Sequence, residues 1–443
     1  MNGLPQTSLT ELSRMLAAGE TSSVAIVGEC LATIDALDAK LHAFIEVYRD
    51  DAMRLAQAAD LERKAGFVRS PLHGLPIAVK DLFHLEGRVT TAGSKRWRGR
   101  VAHETALSVK RLLDAGMIPL GKTHLVEFAY GTWGMNRPMG TPWNPRDLHV
   151  HRVAGGSSSG SAVAVAAGMA PAALGTDTGG SVRIPAALCG LVGLKPTYGR
   201  IPLEGVVPLS STLDSIGPIT QTVGDAALLV EVMAGGPPSR SDAHPSLDGM
   251  EITAIAHEQL PDFIEPQIVA AFDRTIALLR ELGANVVVER IPFDFAALGS
   301  KNGRIIGIEG YANHREVIDD DTADVDAGVR ARMLIGKAAT AAEYIEALAE
   351  RRTWIAKFAE WMRTRDALLT PMLPITAKPI TDVDESAYPL ATWSRAVNYL
   401  HACAITVPAR AEGLPVGIQV VAAGSRDATA TGIASRLHEA VLR

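Results

Sequence analysis

Residues 154–161, Ala154-Gly155-Gly156-Ser157-Ser158-Ser159-Gly160-Ser161, run on through AVAVAAGMAPAALGTDTGG (162–180) to Ser181-Val182-Arg183-Ile184-Pro185. This stretch admits three readings. A flexible linker would need polar, unstructured neighbours, yet these serines and glycines lie between apolar segments that favour burial. A nucleophile elbow, G-x-S-x-G, is formally matched by Gly156 to Gly160 with Ser158 at its centre, and histidines such as His401 follow later. An elbow needs a buried strand directly before the serine, whereas His149-Val150-His151-Arg152 is polar and follows the turn-like Trp143-Asn144-Pro145.

The third reading joins both Gly/Ser turns into one site. Glycines let a backbone approach a ligand closely and leave amide hydrogens to face a developing oxyanion, and Thr178-Gly179-Gly180-Ser181 is such a turn. A helix starting just after Ser181 would add its unpaired N-terminal amides and dipole. A serine there becomes reactive only with a base nearby. Lys80 is a candidate, because it ends the apolar run Leu75-Pro76-Ile77-Ala78-Val79 and desolvation lowers a lysine pKa from about 10.4 toward neutrality. The competing reading of Lys80 is a solvated charge at a strand end.

Outward from this stretch, the first 65 residues read as helical. Ser8 and Glu11 make a capping box, and Val27, Cys30, Leu31 and Ile34 follow one apolar helical face. From about residue 70, short apolar runs alternate with helices: Ile77 to Val79, a helix near 104–115, Met117 to Leu120, and Ala162 to Ala167. That alternation predicts an α/β sheet. Beyond Gly235 and Gly236 the pattern changes to a helix around 266–282, an apolar run at 285–288 and a long helix near 341–365. The sheet pattern returns at 367–371 and 413–422. We therefore expect a single domain over 1–443, with an N-terminal helical layer (1–65), a core from 70–225 and 365–440, and an inserted region at 236–360.

The 443 residues are 47% hydrophobic and 21% charged, an ordinary globular balance. A formal charge of −6 without a basic cluster argues against nucleic-acid binding and for a small-molecule substrate. No run of about 18 apolar residues occurs, and the N-terminus lacks a signal-peptide pattern, so no membrane role and a cytoplasmic location are expected. Cys30, Cys189 and Cys403 offer neither a disulfide framework nor a C-x-x-C pair. His73, His84, His103 and His124 lack metal-ligand spacing, so no metal is expected. Gly116-Met117-Ile118-Pro119-Leu120-Gly121-Lys122-Thr123 fits the G-x-x-x-x-G-K-T phosphate-loop string, but a phosphate loop follows a strand and opens a helix. Here Gly116 ends a helical run, and the residues after it are themselves a strand.

Together these residues resemble the amidase-signature family. Ser157 and Ser181 stand 24 positions apart, as in that family. His73-Gly74-Leu75-Pro76-Ile77-Ala78-Val79-Lys80-Asp81 with Thr90-Thr91-Ala92-Gly93-Ser94, the run from Gly121 to Gly131, and GLPVGIQ near the C-terminus are similar as well. Ser159 and Ala154 depart from the usual glycine and proline. The resemblance implies a large central mixed β-sheet flanked by helices on both faces, and a catalytic unit of serine, cis-serine and lysine needing no cofactor. Ser181 would be the nucleophile, Ser157 the bridging serine and Lys80 the neutral base. The backbone amides of Thr178, Gly179, Gly180 and Ser181 would form the oxyanion hole. Tyr130, Thr132 and Trp133 would line the acyl pocket, and Arg183 would pair with a carboxylate such as Asp177.

The implied activity is hydrolysis of a small-molecule carboxylic amide through an acyl-enzyme. A carbamate or urea-type hydrolase is one alternative, and the amidase subunit of a tRNA-dependent amidotransferase is another. Thr123-His124-Leu125-Val126-Glu127-Phe128 differs from the asparagine-methionine-aspartate run typical of that subunit. The apolar N-terminal layer is compatible with a homodimer.

Overall fold

The computed structural model describes residues 3–237, 246–384 and 390–442. Among them, eleven strands join in one sheet: β1 (Phe44–Val47), β2 (Pro76–Lys80), β3 (Ile118–Thr123), β4 (Ala172–Asp177), β5 (Val192–Lys195), β6 (Ser215–Thr220), β7 (Glu251–Ile255), β8 (Asn285–Glu289), β9 (Ala367–Pro371), β10 (Cys403–Pro408) and β11 (Gly417–Ala422). Their order across the sheet is β1-β3-β2-β4-β6-β5-β10-β11-β9-β7-β8. β2 runs parallel to β3 and β4, β7 runs parallel to β8 and β9, and the remaining pairs are antiparallel, so the sheet is mixed as expected.

Successive side chains of a strand point to opposite faces, and here each face has its own core. Ile77 and Val79 of β2 enter one apolar cluster while Ala78 between them enters the other; Ala172 and Leu174 of β4 divide from Ala173 in the same way. One face is covered by helices Ser23–Leu41 and Ser159–Ala166, the other by helices that include Leu107–Asp114, Val223–Ala234 and Asp427–Leu442. Both strands are central and covered on both faces, so every position of β2 and β4 is buried, including the polar Lys80, Thr176 and Asp177 at their ends.

The structure differs from the sequence reading in three places. Ala162 to Ala167 is not a strand: it falls largely in the helix Ser159–Ala166, followed by β4 at Ala172–Asp177. That helix is buried from Ser159 to Val165 and therefore shows no amphipathic period. Within the N-terminal helical layer of Leu9–Ala18, Ser23–Leu41 and Arg49–Lys64, the strand β1 occupies four residues, too few for an alternating pattern to declare itself. In 236–360, Pro266–Glu281, β8 and Ala341–Trp361 lie where expected, but β7 and the long helix Phe295–Ile318 gave no signal. The latter contains Gly299, Gly303, Gly307 and Gly310, each a poor helix former.

The phosphate-loop string is part of the sheet. Lys122 lies inside β3, and its Nζ meets Asp81 Oδ1 at 2.8 Å and the Phe83 carbonyl at 2.7 Å, with both charged side chains buried. Asp81 Oδ2 in turn accepts from the Thr91 amide at 2.9 Å. Lys122 therefore fastens the residue after Lys80, and the Lys80-Asp81, Thr90-Thr91 and Gly121-Lys122 motifs form one network. Breaking a buried pair by removing one partner costs about 3–5 kcal/mol. Lys122→Ala is expected to lose about that much stability in urea denaturation, and wild type and variant alike are expected to show no ATP binding by calorimetry.

Candidate active site

The site lies where parallel strands end together. β2 pairs with β4 through Ala78 opposite Ala173 and Val79 opposite Leu174, which brings Lys80 at the end of β2 beside Thr176 near the end of β4. The loop 154–158 crosses these strand ends and is tied down by its backbone. The Gly156 amide donates to the Thr132 carbonyl at 2.7 Å, Val126 N–H to Ser157 O at 3.1 Å, and Ser158 N–H to Ser181 O at 3.2 Å. The Gly156–Ser157 peptide bond is cis. Just beyond, Gly160 fits where nothing larger would: a Cβ there would stand 2.3 Å from the Ala43 carbonyl oxygen and 2.5 Å from the His124 amide nitrogen.

Three hydroxyls surround the Lys80 amine. Its Nζ is 2.9 Å from Ser157 Oγ, 2.9 Å from Ser158 Oγ and 2.8 Å from Thr176 Oγ1, and Lys80, Ser157 and Ser158 are fully buried. Burial pushes the Lys80 pKa down from 10.5 to about 7, against the opposing pull of Asp214 and Asp177. A shift of that size corresponds to a cost of about 5 kcal/mol for charging the amine in this position. A neutral amine has two N–H donors and one lone pair. Ser158 Oγ passes its own hydrogen to the Thr176 carbonyl at 3.4 Å, so it accepts from Lys80. This arrangement lets the Ser157 hydroxyl donate to the lysine lone pair.

The turn 178–181 is held from its flank. Asp177 and Arg183, both fully buried, pair in bidentate fashion, Nη2 to Oδ1 at 2.9 Å and Nε to Oδ2 at 3.0 Å. Arg183 also donates to Asn398 Oδ1 at 2.6 Å and to Gln419 Oε1, while Asn398 Nδ2 donates to the Asp177 carbonyl at 3.0 Å. The Asp177 carboxylate accepts from the amides of Gly180 at 2.8 Å and Val182 at 3.2 Å. Gly180 is therefore not a free oxyanion donor, contrary to the sequence expectation. Its role is steric: φ is +121°, and a Cβ would come within 2.3 Å of Ser394 Oγ. The amides of Thr178, Gly179 and Ser181 have no acceptor among the described residues. Thr178 Oγ1 donates to Asp214 Oδ1 at 2.5 Å, and burial raises the Asp214 pKa to about 6. The helix expected after Ser181 is Arg183–Leu188.

The remaining candidates separate. Thr132 reaches the site by its carbonyl, through the bond from Gly156. Trp133 is buried in an apolar cluster with Ile184 and Leu188. The Tyr130 carbonyl accepts from Arg332 Nη2 at 2.7 Å, and the Arg332 guanidinium lies 5.6 Å from the Tyr130 ring centre. Sequence reasoning missed Thr176 and Asp214, and saw Ser158 only as an elbow serine. For Thr176 the available signal was its place one residue before Asp177, at the approach to the Ser181 turn. Cys30, Cys189 and Cys403 are buried and unpaired. No group of His, Cys, Asp and Glu among the described residues is arranged for a metal, and no described helix is long and apolar enough to cross a membrane.

Residues 25–430 match the Amidase family. The chain is 36% identical to the A subunit of glutamyl-tRNA(Gln) amidotransferase from Streptomyces avermitilis, over 94% of this chain and 91% of that one. It superposes on a crystal structure of an amidase with a TM-score of 0.89 at 34% identity, covering 98% of this chain and 100% of the other. Native peptide amidase from Stenotrophomonas maltophilia gives a TM-score of 0.85 at 28% identity, covering 98% and 97%. With its mixed sheet, its buried lysine against Ser157 and this match across nearly the whole sequence, the chain belongs to the Amidase family.

Proposed function

We propose that the protein hydrolyses the C–N bond of a small carboxylic amide through an acyl-enzyme on Ser181. The observation that carries this reading is the buried Lys80 amine, held near neutrality and in contact with Ser157 Oγ. Ser181, unlike Lys80 and Ser157, keeps some exposure, at 6%, and so is the member of the group that a ligand can reach. Its Oγ adds to the amide carbonyl, its proton passes to Ser157 Oγ, and the Ser157 proton passes to Lys80 Nζ. The tetrahedral oxyanion is taken by the free amides of Thr178, Gly179 and Ser181. Collapse breaks the C–N bond as the proton returns from Lys80 through Ser157 to the leaving nitrogen. Water then attacks the acyl ester by the same relay and releases the acid.

A second reading is favoured by the Streptomyces avermitilis relative, which is named for a glutamyl-tRNA(Gln) amidotransferase. Here the same chemistry would act on glutamine, with the released ammonia used by partner chains on an aminoacyl-tRNA. This relative favours that reading over a free-standing amidase, whereas the amidase structures favour the free-standing one. Assaying aryl amides, aliphatic amides, aryl carbamates and glutamine with the isolated chain separates them. Turnover of small amides by the chain alone supports the first reading. Glutamine hydrolysis that needs added partner chains supports the second, and carbamate cleavage alone would point to a carbamate hydrolase.

In any of these reactions, Ser181→Ala is expected to lower kcat by about 10⁴-fold or more while leaving the thermal unfolding transition in place; a fully active variant would overturn the mechanism. The pH dependence follows from the base. Lys80 works only when deprotonated, so kcat/KM is expected to rise about tenfold per pH unit below about 7 and to level off above it.

A further inference from the structure

The relay leaves a pair of polar side chains beside the Ser181 turn unused. Asn302, on the helix Phe295–Ile318, is fully buried, and neither its Oδ1 nor its Nδ2 has a hydrogen-bond partner among the described residues. Arg395, in the helix Ser394–Tyr399, is partly buried, and its guanidinium makes no hydrogen bond or ion pair among the described residues. Both reach the same backbone: a Cβ placed on Gly179 would stand 3.0 Å from Arg395 Cγ and 3.3 Å from Asn302 Oδ1. The guanidinium extends along the Asn302 helix, where a Cβ on Gly303 would stand 3.5 Å from Arg395 Nη1. Burial and the neighbouring Arg332 depress the Arg395 pKa, with Tyr130 opposing them. No carboxylate among the described residues offsets this cation, unlike Arg183, which Asp177 neutralises.

Leaving a buried polar group without a partner costs about 1–3 kcal/mol, and a native chain bears such a cost where something else completes the group. The chemistry of the missing partner follows from the donors. A guanidinium donates only, in a planar fork that matches a carboxylate, while a carboxamide donates from Nδ2 and accepts at Oδ1. We infer that Arg395 and Asn302 form a subsite for a carboxylate carried by the substrate, immediately beside the Gly179 end of the turn. One carboxylate oxygen takes a hydrogen bond from Asn302 Nδ2, and Asn302 Oδ1 accepts an N–H from the same molecule. Given hydrolysis at Ser181, on which this last step rests, the scissile amide belongs to an anionic molecule. Glutamine and dicarboxylic acid monoamides meet that description, and neutral aryl amides do not.

The test uses Ser181→Ala to measure binding without turnover. Calorimetry compares a series of monoamides from malonamate to adipamate, together with glutamine, each against its neutral diamide or amide. The carboxylated member of at least one pair is expected to bind about 10–100-fold more tightly, as charge-assisted hydrogen bonds allow. Adding Arg395→Gln is expected to bring that ratio to within about twofold of unity, Asn302→Ala to reduce it, and Arg395→Lys to restore part of it. In wild type the same preference should appear mainly in KM. Equal binding of charged and neutral members across the series, or a ratio unchanged by Arg395→Gln, would overturn the subsite. Tight, Arg395-dependent binding without turnover of any amide by wild type would uphold the subsite and count against the hydrolase reading alone.

Discussion

A lysine amine removed from water is the constraint around which this molecule is arranged. Lys80 is fully buried and keeps no carboxylate within hydrogen-bond reach among the described residues; its contacts are three hydroxyls. Charging it there costs about 5 kcal/mol, so the group rests near its neutral form at physiological pH. The sheet makes this position available. A lysine at the end of an edge strand would find water, but β2 lies between β3 and β4, with apolar cores on both faces. The next residue, Asp81, turns away to Lys122, which spares Lys80 a counter-ion that would hold its proton.

The second serine turn is organised by the opposite principle. Asp177 and Arg183 are buried as a full bidentate pair, and burial there is compensated by hydrogen bonds on nearly every side. This pair does not need to change charge. Its use is to fix the path of residues 178–183, taking the Gly180 and Val182 amides out of service and leaving those of Thr178, Gly179 and Ser181 open. The turn thus has one satisfied flank and one unsatisfied flank, and beside Gly179 stand the Arg395 guanidinium and the Asn302 carboxamide, which have no partner among the described residues. The permanent charges of the Asp177–Arg183 pair hold geometry, whereas burial shifts the Lys80 amine toward its neutral form.

Much of this was legible in the sequence because it depends on local residue patterns. The glycines before Ser181 suggested an oxyanion-binding turn, while the residues alone left Lys80 open between a buried base and a solvated charge; the resemblance to the amidase-signature family joined Lys80, Ser157 and Ser181, and the structure brings Lys80 and Ser157 into contact at 2.9 Å. Arg183 could be paired with Asp177 because six residues of turn and helix start bring them together. What was illegible depends on long-range contact. Thr176 is an ordinary strand threonine until β2 and β4 are paired. Gly180 looked like an amide donor because its partner, a side chain three residues earlier, cannot be read from composition. The buried helix Ser159–Ala166 shows no period because both its sides are covered, and the glycine-bearing helix Phe295–Ile318 hides behind poor propensity while carrying Asn302. Arg395 is one of many arginines in the sequence, and only its want of a partner among the described residues of the folded chain sets it apart.

The most direct measurement of the central claim is the titration of Lys80 itself, followed by ¹³C-detected NMR of ¹³C-labelled lysine side chains and assigned by comparison with Lys80→Met. The account predicts a resonance that titrates with a midpoint near 7 and disappears in Lys80→Met. A Lys80 resonance that remains in its charged form to about pH 10 would contradict it, because the amine could not then accept the serine proton.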